Sequence, residues 1–194
     1  MPYIKKLKKK YLVKIPQKVN VVHCDQTNIV IFKGPLNTKS FKLKVKVFLI
    51  PSLNLISVTS TPVSTASSAD LKNIKKIQGM VVAKLKQMLI EITYKLYHTL
   101  NLVGVGYRVF SHESLKQQIY LKLGYSHFIY FRIPLELNTY CHKFTKLFIF
   151  GDCSFQTLKQ TAAQIRNCKL PEPYKGKGIL HNQEQIVLKK GKKI

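Results

Sequence analysis

Asp70-Leu-Lys-Asn-Ile-Lys-Lys-Ile-Gln-Gly-Met-Val-Val-Ala-Lys-Leu-Lys-Gln-Met-Leu-Ile-Glu-Ile92 decides how this chain is read, because it is a long helical pattern set between segments of strand-like alternation. Leu71, Ile74, Ile77, Val81, Leu85, Met88 and Ile92 recur at intervals of three and four and form one apolar stripe. Lys72, Lys75, Lys76, Lys84 and Lys86 fall mostly elsewhere around the helix, so the stripe is core. Asp70 is a good N-cap. Gly79 lies inside the pattern and weakens it by about 1 kcal/mol relative to alanine. Close packing of a neighbouring backbone is the expected reason for it.

Upstream the periodicity is two. Residues 19–23 and 28–32 are apolar runs, and Phe41, Leu43, Val45, Val47 and Leu49 alternate with Lys42, Lys44 and Lys46 in what reads as a third strand. Asp25-Gln-Thr-Asn28 suits a hairpin connection, and Lys33-Gly-Pro35 ends the second strand. Residues 57–69, rich in Ser and Thr, read as mostly irregular. From Lys95 the order returns: extended segments at 102–110, 118–125, 128–133 and 147–150, then a helix from near Ser154 with Phe155, Leu158, Ala162 and Ile165 as its stripe. It ends before Pro171. Residues 184–190 read as a closing strand. Strands then helix, twice, point to an α+β fold of two tandem related units. The expected boundaries are a basic arm at 1–13, domains at 14–94 and 95–190, and a basic tail at 191–194.

Among 194 residues, 33 are basic and 8 acidic, a formal net charge of +25. The free molecule repels itself, and a polyanion is its natural partner. Arg108, Arg132 and Arg166 are the arginines, so lysine outnumbers arginine ten to one. Point charges of this kind suit phosphates better than base edges. The hydrophobic fraction of 45% is that of a folded chain.

Other chemistries find little material. No apolar run approaches the length of a membrane span. Cys24, Cys141, Cys153 and Cys168 show no C-x-x-C spacing and are expected to be reduced; the six histidines are equally scattered, so neither metal nor cofactor is expected. Gly104-Val-Gly-Tyr-Arg108 lacks the third glycine and following helix of a dinucleotide loop, and reads as a bulge or close backbone contact inside a strand. No G-K-[ST] triplet occurs, and the eight carboxylates are spread singly, so no small-molecule substrate and no enzyme are expected.

Pro171-Glu-Pro-Tyr-Lys-Gly-Lys-Gly-Ile179 is the most specific motif in the chain. Prolines fix φ, glycines bare the backbone N–H groups, and lysines neutralise charge, which together make a shaped loop for phosphate. With Leu100-Asn-Leu-Val-Gly-Val-Gly-Tyr-Arg108, Leu123-Gly-Tyr-Ser-His127 and Gln164-Ile-Arg-Asn-Cys-Lys-Leu170, in this order and spacing, it resembles the ribosomal protein L-six family of the large subunit, bacterial and organellar type. Ile15-Pro16 and residues 19–33 resemble that family's first hairpin, so the likeness spans roughly 14–190.

The resemblance implies two tandem similar α+β domains, each a small antiparallel sheet packed against one helix, bound to large-subunit rRNA beside the sarcin-ricin loop and stalk base. Neighbouring ribosomal proteins and docking translational GTPases lie close by, and the C-terminal domain makes most of the rRNA contact. Carried to this chain, it makes Tyr174, Lys175, Gly176, Lys177 and Gly178 the leading rRNA contacts, with Arg166 and Lys169 as electrostatic support. Tyr107, Arg108, Ser126 and His127 match family motifs as contacts or structural residues. The chain departs from the family at Cys168-Lys169-Leu170, at Leu180 and at Ile92-Thr-Tyr-Lys-Leu96, where basic residues or a glycine turn are usual. A free-standing RNA-binding or RNA-chaperone module is the alternative.

Lysine bias with abundant Ile, Phe, Tyr and Asn matches an AT-rich coding genome. The chain opens with Met1 and shows no transit peptide. The expectation is an organelle-encoded component of a mitochondrial ribosome, with a plastid or bacterial ribosome as alternatives.

Overall fold

The computed structural model describes residues 9–63, 68–111, 117–152 and 154–191. The chain forms two compact units, Met1–Tyr94 and Lys95–Ile194.

The first unit runs β1 (Leu12–Lys14), β2 (Asn20–Cys24), β3 (Ile29–Lys33), β4 (Thr38–Lys42), β5 (Val45–Ile50), β6 (Leu55–Pro62) and α1 (Ser68–Thr93). Its strands make two antiparallel sheets, β1-β6-β5 and β2-β3-β4. Val30, Phe32, Ile56, Val81, Leu85 and Ile92 close the core between these sheets and α1. Two polar ties fix the helix: Gln78 Nε2 donates to the Val58 carbonyl at 2.7 Å, and the Lys39 ammonium meets the buried Glu91 carboxylate, which also accepts from Gln87.

The second unit runs β7 (Leu96–Val103), β8 (Arg108–Ser111), β9 (Gln118–Lys122), β10 (Ile129–Arg132), β11 (Asn138–His142), β12 (Lys146–Gly151), α2 (Phe155–Asn167) and β13 (Gly178–His181). Its sheets are β11-β12-β7-β13 and β10-β9-β8. Leu100, Leu121, Leu147, Ile149, Leu158 and Ile165 are its core. Ser154 caps α2, its Oγ accepting from the Thr157 N–H at 3.1 Å. The two units share one topology: β1-β6-β5 corresponds to β7-β12-β11, β2-β3-β4 to β8-β9-β10, and α1 to α2, with β13 added.

The α+β class and the pairing of one helix with antiparallel strands in each unit agree with the sequence; several details do not. Each unit holds two sheets, not one. The single strand expected over 41–49 is two, divided at Leu43-Lys44, where the chain leaves one sheet for the other while the alternation of burial continues. Much of the Ser/Thr-rich segment is β6, held centrally between β1 and β5; residues 64–67 of it lie outside the described residues. Leu12 and Val13 of the expected arm belong with Lys14 to strand β1, because Val13 is buried against the core, while residues 1–8 are not described. The first helix begins at Ser68, so Asp70 lies within its first turn. No atom approaches within 4 Å of where a Gly79 Cβ would sit, so no packed backbone explains that glycine. Phe155 is exposed and leaves the α2 stripe to Leu158, Ala162 and Ile165. Residues 184–190 form no strand; the last strand is β13, paired with β7.

Candidate nucleic-acid interface

The loop between α2 and β13 is a closed structure. Cys168 and Lys169 end the helix by donating to the Ile165 and Arg166 carbonyls at 3.1 and 3.2 Å. The Ile179 N–H then returns to the Lys169 carbonyl at 3.0 Å, so both ends of the loop meet. Inside it, Glu172 N–H donates to the Lys177 carbonyl at 2.9 Å and Gly176 N–H to the Glu172 carbonyl at 2.8 Å. Lys189 N–H reaches the Pro173 carbonyl at 2.9 Å from the far side. Gly178 is required sterically: a Cβ there would stand 2.5 Å from Pro171 Cα. Tyr174 and Lys175 project into solvent from this braced frame, and Gly176 and Lys177 are half-buried.

Beside the loop lies a cleft of about 450 Å³ to which all four motif segments contribute: Tyr107, Tyr125, Cys168, Lys169, Glu172 and Lys177 line it. Gly104 and Gly106 are not a bulge but the turn from β7 into β8, closed by Tyr107 N–H donating to the Gly104 carbonyl at 3.3 Å. The Tyr107 ring fills the space beside two glycines: Cβ atoms at Gly104 and Gly124 would lie 2.9 and 3.1 Å from it. Tyr125 OH donates to the Cys168 carbonyl at 3.3 Å, and Lys169 Nζ sits 4.3 Å from the centre of the Tyr125 ring. His127, in the same turn, stacks on the Tyr125 ring at 5.7 Å and 16°.

The sequence-derived residues therefore divide. Tyr107, Lys169, Lys177, Gly176, Gly178, Tyr174 and Lys175 surround or form the loop and cleft. Ser126 and His127 are exposed in the adjoining turn. Arg108 is exposed on β8, in register with Lys122 of β9. Arg166 differs: its Nε donates to Glu184 Oε2 at 3.0 Å and its other arm meets Oε1, so its charge is already engaged. Tyr125 was not singled out, although an aromatic between Gly124 and Ser126-His127 was the available signal. Nothing in the spacing marked Glu184.

Electrostatics follow from these contacts. The Arg166 guanidinium, helped by the His181 N–H, holds the Glu184 carboxyl below its ordinary range. On the sheet, His98 Nε2 and His181 Nδ1 share a hydrogen bond of 2.8 Å, with Lys159 Nζ 3.4 Å from His98 Nδ1. Burial, then the charges of Lys159 and His181, bring the His98 pKa down to about 4. Among the described residues, no three His, Cys, Asp or Glu side chains gather as a metal site, and no helix is long and apolar enough to cross a membrane. Cys24, Cys141 and Cys168 are free thiols.

No protein-family model matches the chain. Among curated proteins, it is 36% identical over 183 residues to large ribosomal subunit protein uL6 of Mycoplasmoides gallisepticum, covering 93% of each chain. It is 32% identical over 185 residues to uL6 of Bordetella avium, covering 95% of this chain and 97% of that one. To uL6 of Mesoplasma florum it is 38% identical over 137 residues, 71% and 74% of the two chains. With the paired α+β units and the cationic loop, these likenesses define the class as a structural protein of the large ribosomal subunit, not an enzyme. The chain belongs to the uL6 family.

Proposed function

We propose that this constituent of the large ribosomal subunit binds large-subunit rRNA chiefly through its C-terminal unit, residues 95–190. The observation that carries the reading is the braced loop with Lys175 and Tyr174 outward, set beside a cleft holding Lys169 and Lys177. A rigid backbone, its N–H groups at Glu172 and Gly176 spent on bracing the loop, holds lysine ammonium groups at fixed positions and so recognises phosphate and folded RNA shape without reading sequence. Gly176 and Gly178 shape the loop, Ser126, His127, Tyr107 and Arg108 extend the contact, and Arg166 serves through its hold on Glu184.

The family resemblance supports a position beside the sarcin-ricin loop and stalk base, next to other ribosomal proteins and where translational GTPases dock. The lysine-rich, AT-type composition supports a mitochondrial ribosome. The relatives are bacterial, which favours a bacterial ribosome as the second reading of location. Electron microscopy of the purified large subunit tests the contact: phosphates within hydrogen-bond reach of Lys175 and Lys177 are expected, and a loop facing bare solvent rejects it. Fractionation decides the compartment by whether the chain sediments with organellar or bacterial large subunits.

A further inference from the structure

Strands β8, β9 and β10 bury Val109, Ile119 and Leu121 on one face. Alternation sends Arg108, Phe110, Tyr120, Lys122, Tyr130 and Arg132 to the other. The register sets Phe110 opposite Tyr120 and Tyr120 opposite Tyr130, so an aromatic row crosses all three strands. Phe110 and Tyr120 stack on each other at 4.8 Å and 14°, Phe128 stands edge-on to Tyr120, and Phe144 leans on Phe110. The outer rings are open: Tyr130 is 69% exposed, Phe144 52% and Phe128 46%. Such a patch on a small sheet marks a binding surface.

Its margins say for what. Along the strands, Arg108 and Lys122 flank the row on one side and Arg132 flanks it on the other, and no carboxylate occurs in the three strands. Rings flanked by these cations complement bases that carry phosphates, and a double helix has no free base faces to offer. We propose that the open face of β8–β10 is a stacking platform for unpaired nucleotides of RNA, separate from the Lys175–Lys177 loop.

The test is fluorescence anisotropy of the full chain with a short labelled oligouridylate and an abasic ribose-phosphate strand of equal length, at one salt concentration. The base-bearing strand should bind more tightly by roughly five- to a hundredfold. Tyr130→Ala with Phe128→Ala should remove that preference and leave the abasic affinity unchanged, whereas Tyr130→Phe keeps it. Tyr130→Ala alone, at the most open ring, serves as the milder variant should the pair lower the melting temperature. Lys175→Gln with Lys177→Gln should weaken both strands alike, which separates this face from the loop. Equal affinity for the two strands, or a preference that survives ring removal, overturns the proposal. So does a photo-cross-linker at position 130 that, in the assembled ribosome, captures a protein and no nucleotide.

Discussion

The guanidinium of Arg166 and the carboxylate of Glu184 meet as a two-pronged pair, and Glu184 Oε2 also accepts the His181 N–H at 3.1 Å. The last turn of α2 is thereby tied to the chain beyond β13. Because the folded pKa of Glu184 lies below its ordinary value, this stabilisation is complete above the usual carboxylate range and is lost as pH falls through the lowered value. Glu184→Gln should therefore lower the melting temperature near neutrality and flatten its dependence on acid; an unchanged acid limb would mean the pair contributes nothing.

A second acid-sensitive group is His98. With a folded pKa of about 4 against an ordinary 6.5, it adds stability above pH 6.5 that is lost as pH falls through about 4. Burial is the main cause and the Lys159 charge the next, so Lys159→Met should raise the imidazole pKa without restoring it fully. Titration of the ring by NMR reads this directly, and a value unmoved in the variant removes Lys159 from the account.

Electrostatic adhesion makes a salt prediction. Each phosphate neutralised contributes about 0.7 on single strands to 0.9 on B-form DNA to the slope of log affinity against log salt, so Lys175→Gln with Lys177→Gln should flatten the slope on rRNA by roughly 1.5–2. Filter binding to an rRNA fragment across a salt series measures it. A slope identical to the parent's places the contact elsewhere.

Two glycines should respond in opposite directions. Gly79 has open space around the missing Cβ, so Gly79→Ala should stabilise the chain by about 0.5–1 kcal/mol. Gly178 has φ of +155° with Pro171 against it, so Gly178→Ala should destabilise by about 1–3 kcal/mol and loosen the loop. Denaturant unfolding of both variants decides, and a stable Gly178→Ala would show that the loop yields.

What was legible in the chain follows the strength of local patterns. Helix α2 was readable to its cap because Ser154 and the stripe of Leu158, Ala162 and Ile165 are local signals. The two strands within 41–49 were not separable, since Leu43, Val45 and Val47 keep one parity while the chain changes sheets. Strand β6 hid behind Ser57 and Thr59, although its β-branched residues suit a central strand. The edge strand β11 has Tyr140 outward and no clean apolar alternation. Residues Gln185-Ile-Val-Leu188 have strand-like composition but no neighbour to pair with, and Val187 is 92% exposed. For the site, motif residues were visible one by one; their convergence on a single cleft, and the capture of Arg166 by Glu184, arise only when distant segments fold together.

Strand β13 completes its sheet by pairing Gly178 with Val103, and Lys189 N–H props the loop from behind. During synthesis, then, the first unit has every strand it needs by Thr93, while the loop between α2 and β13 has no frame until residues near 189 have cleared the exit tunnel. On the role proposed for this loop, a growing polypeptide folds its first unit well before it can present a formed RNA-binding frame, which delays misplaced binding by unfinished copies.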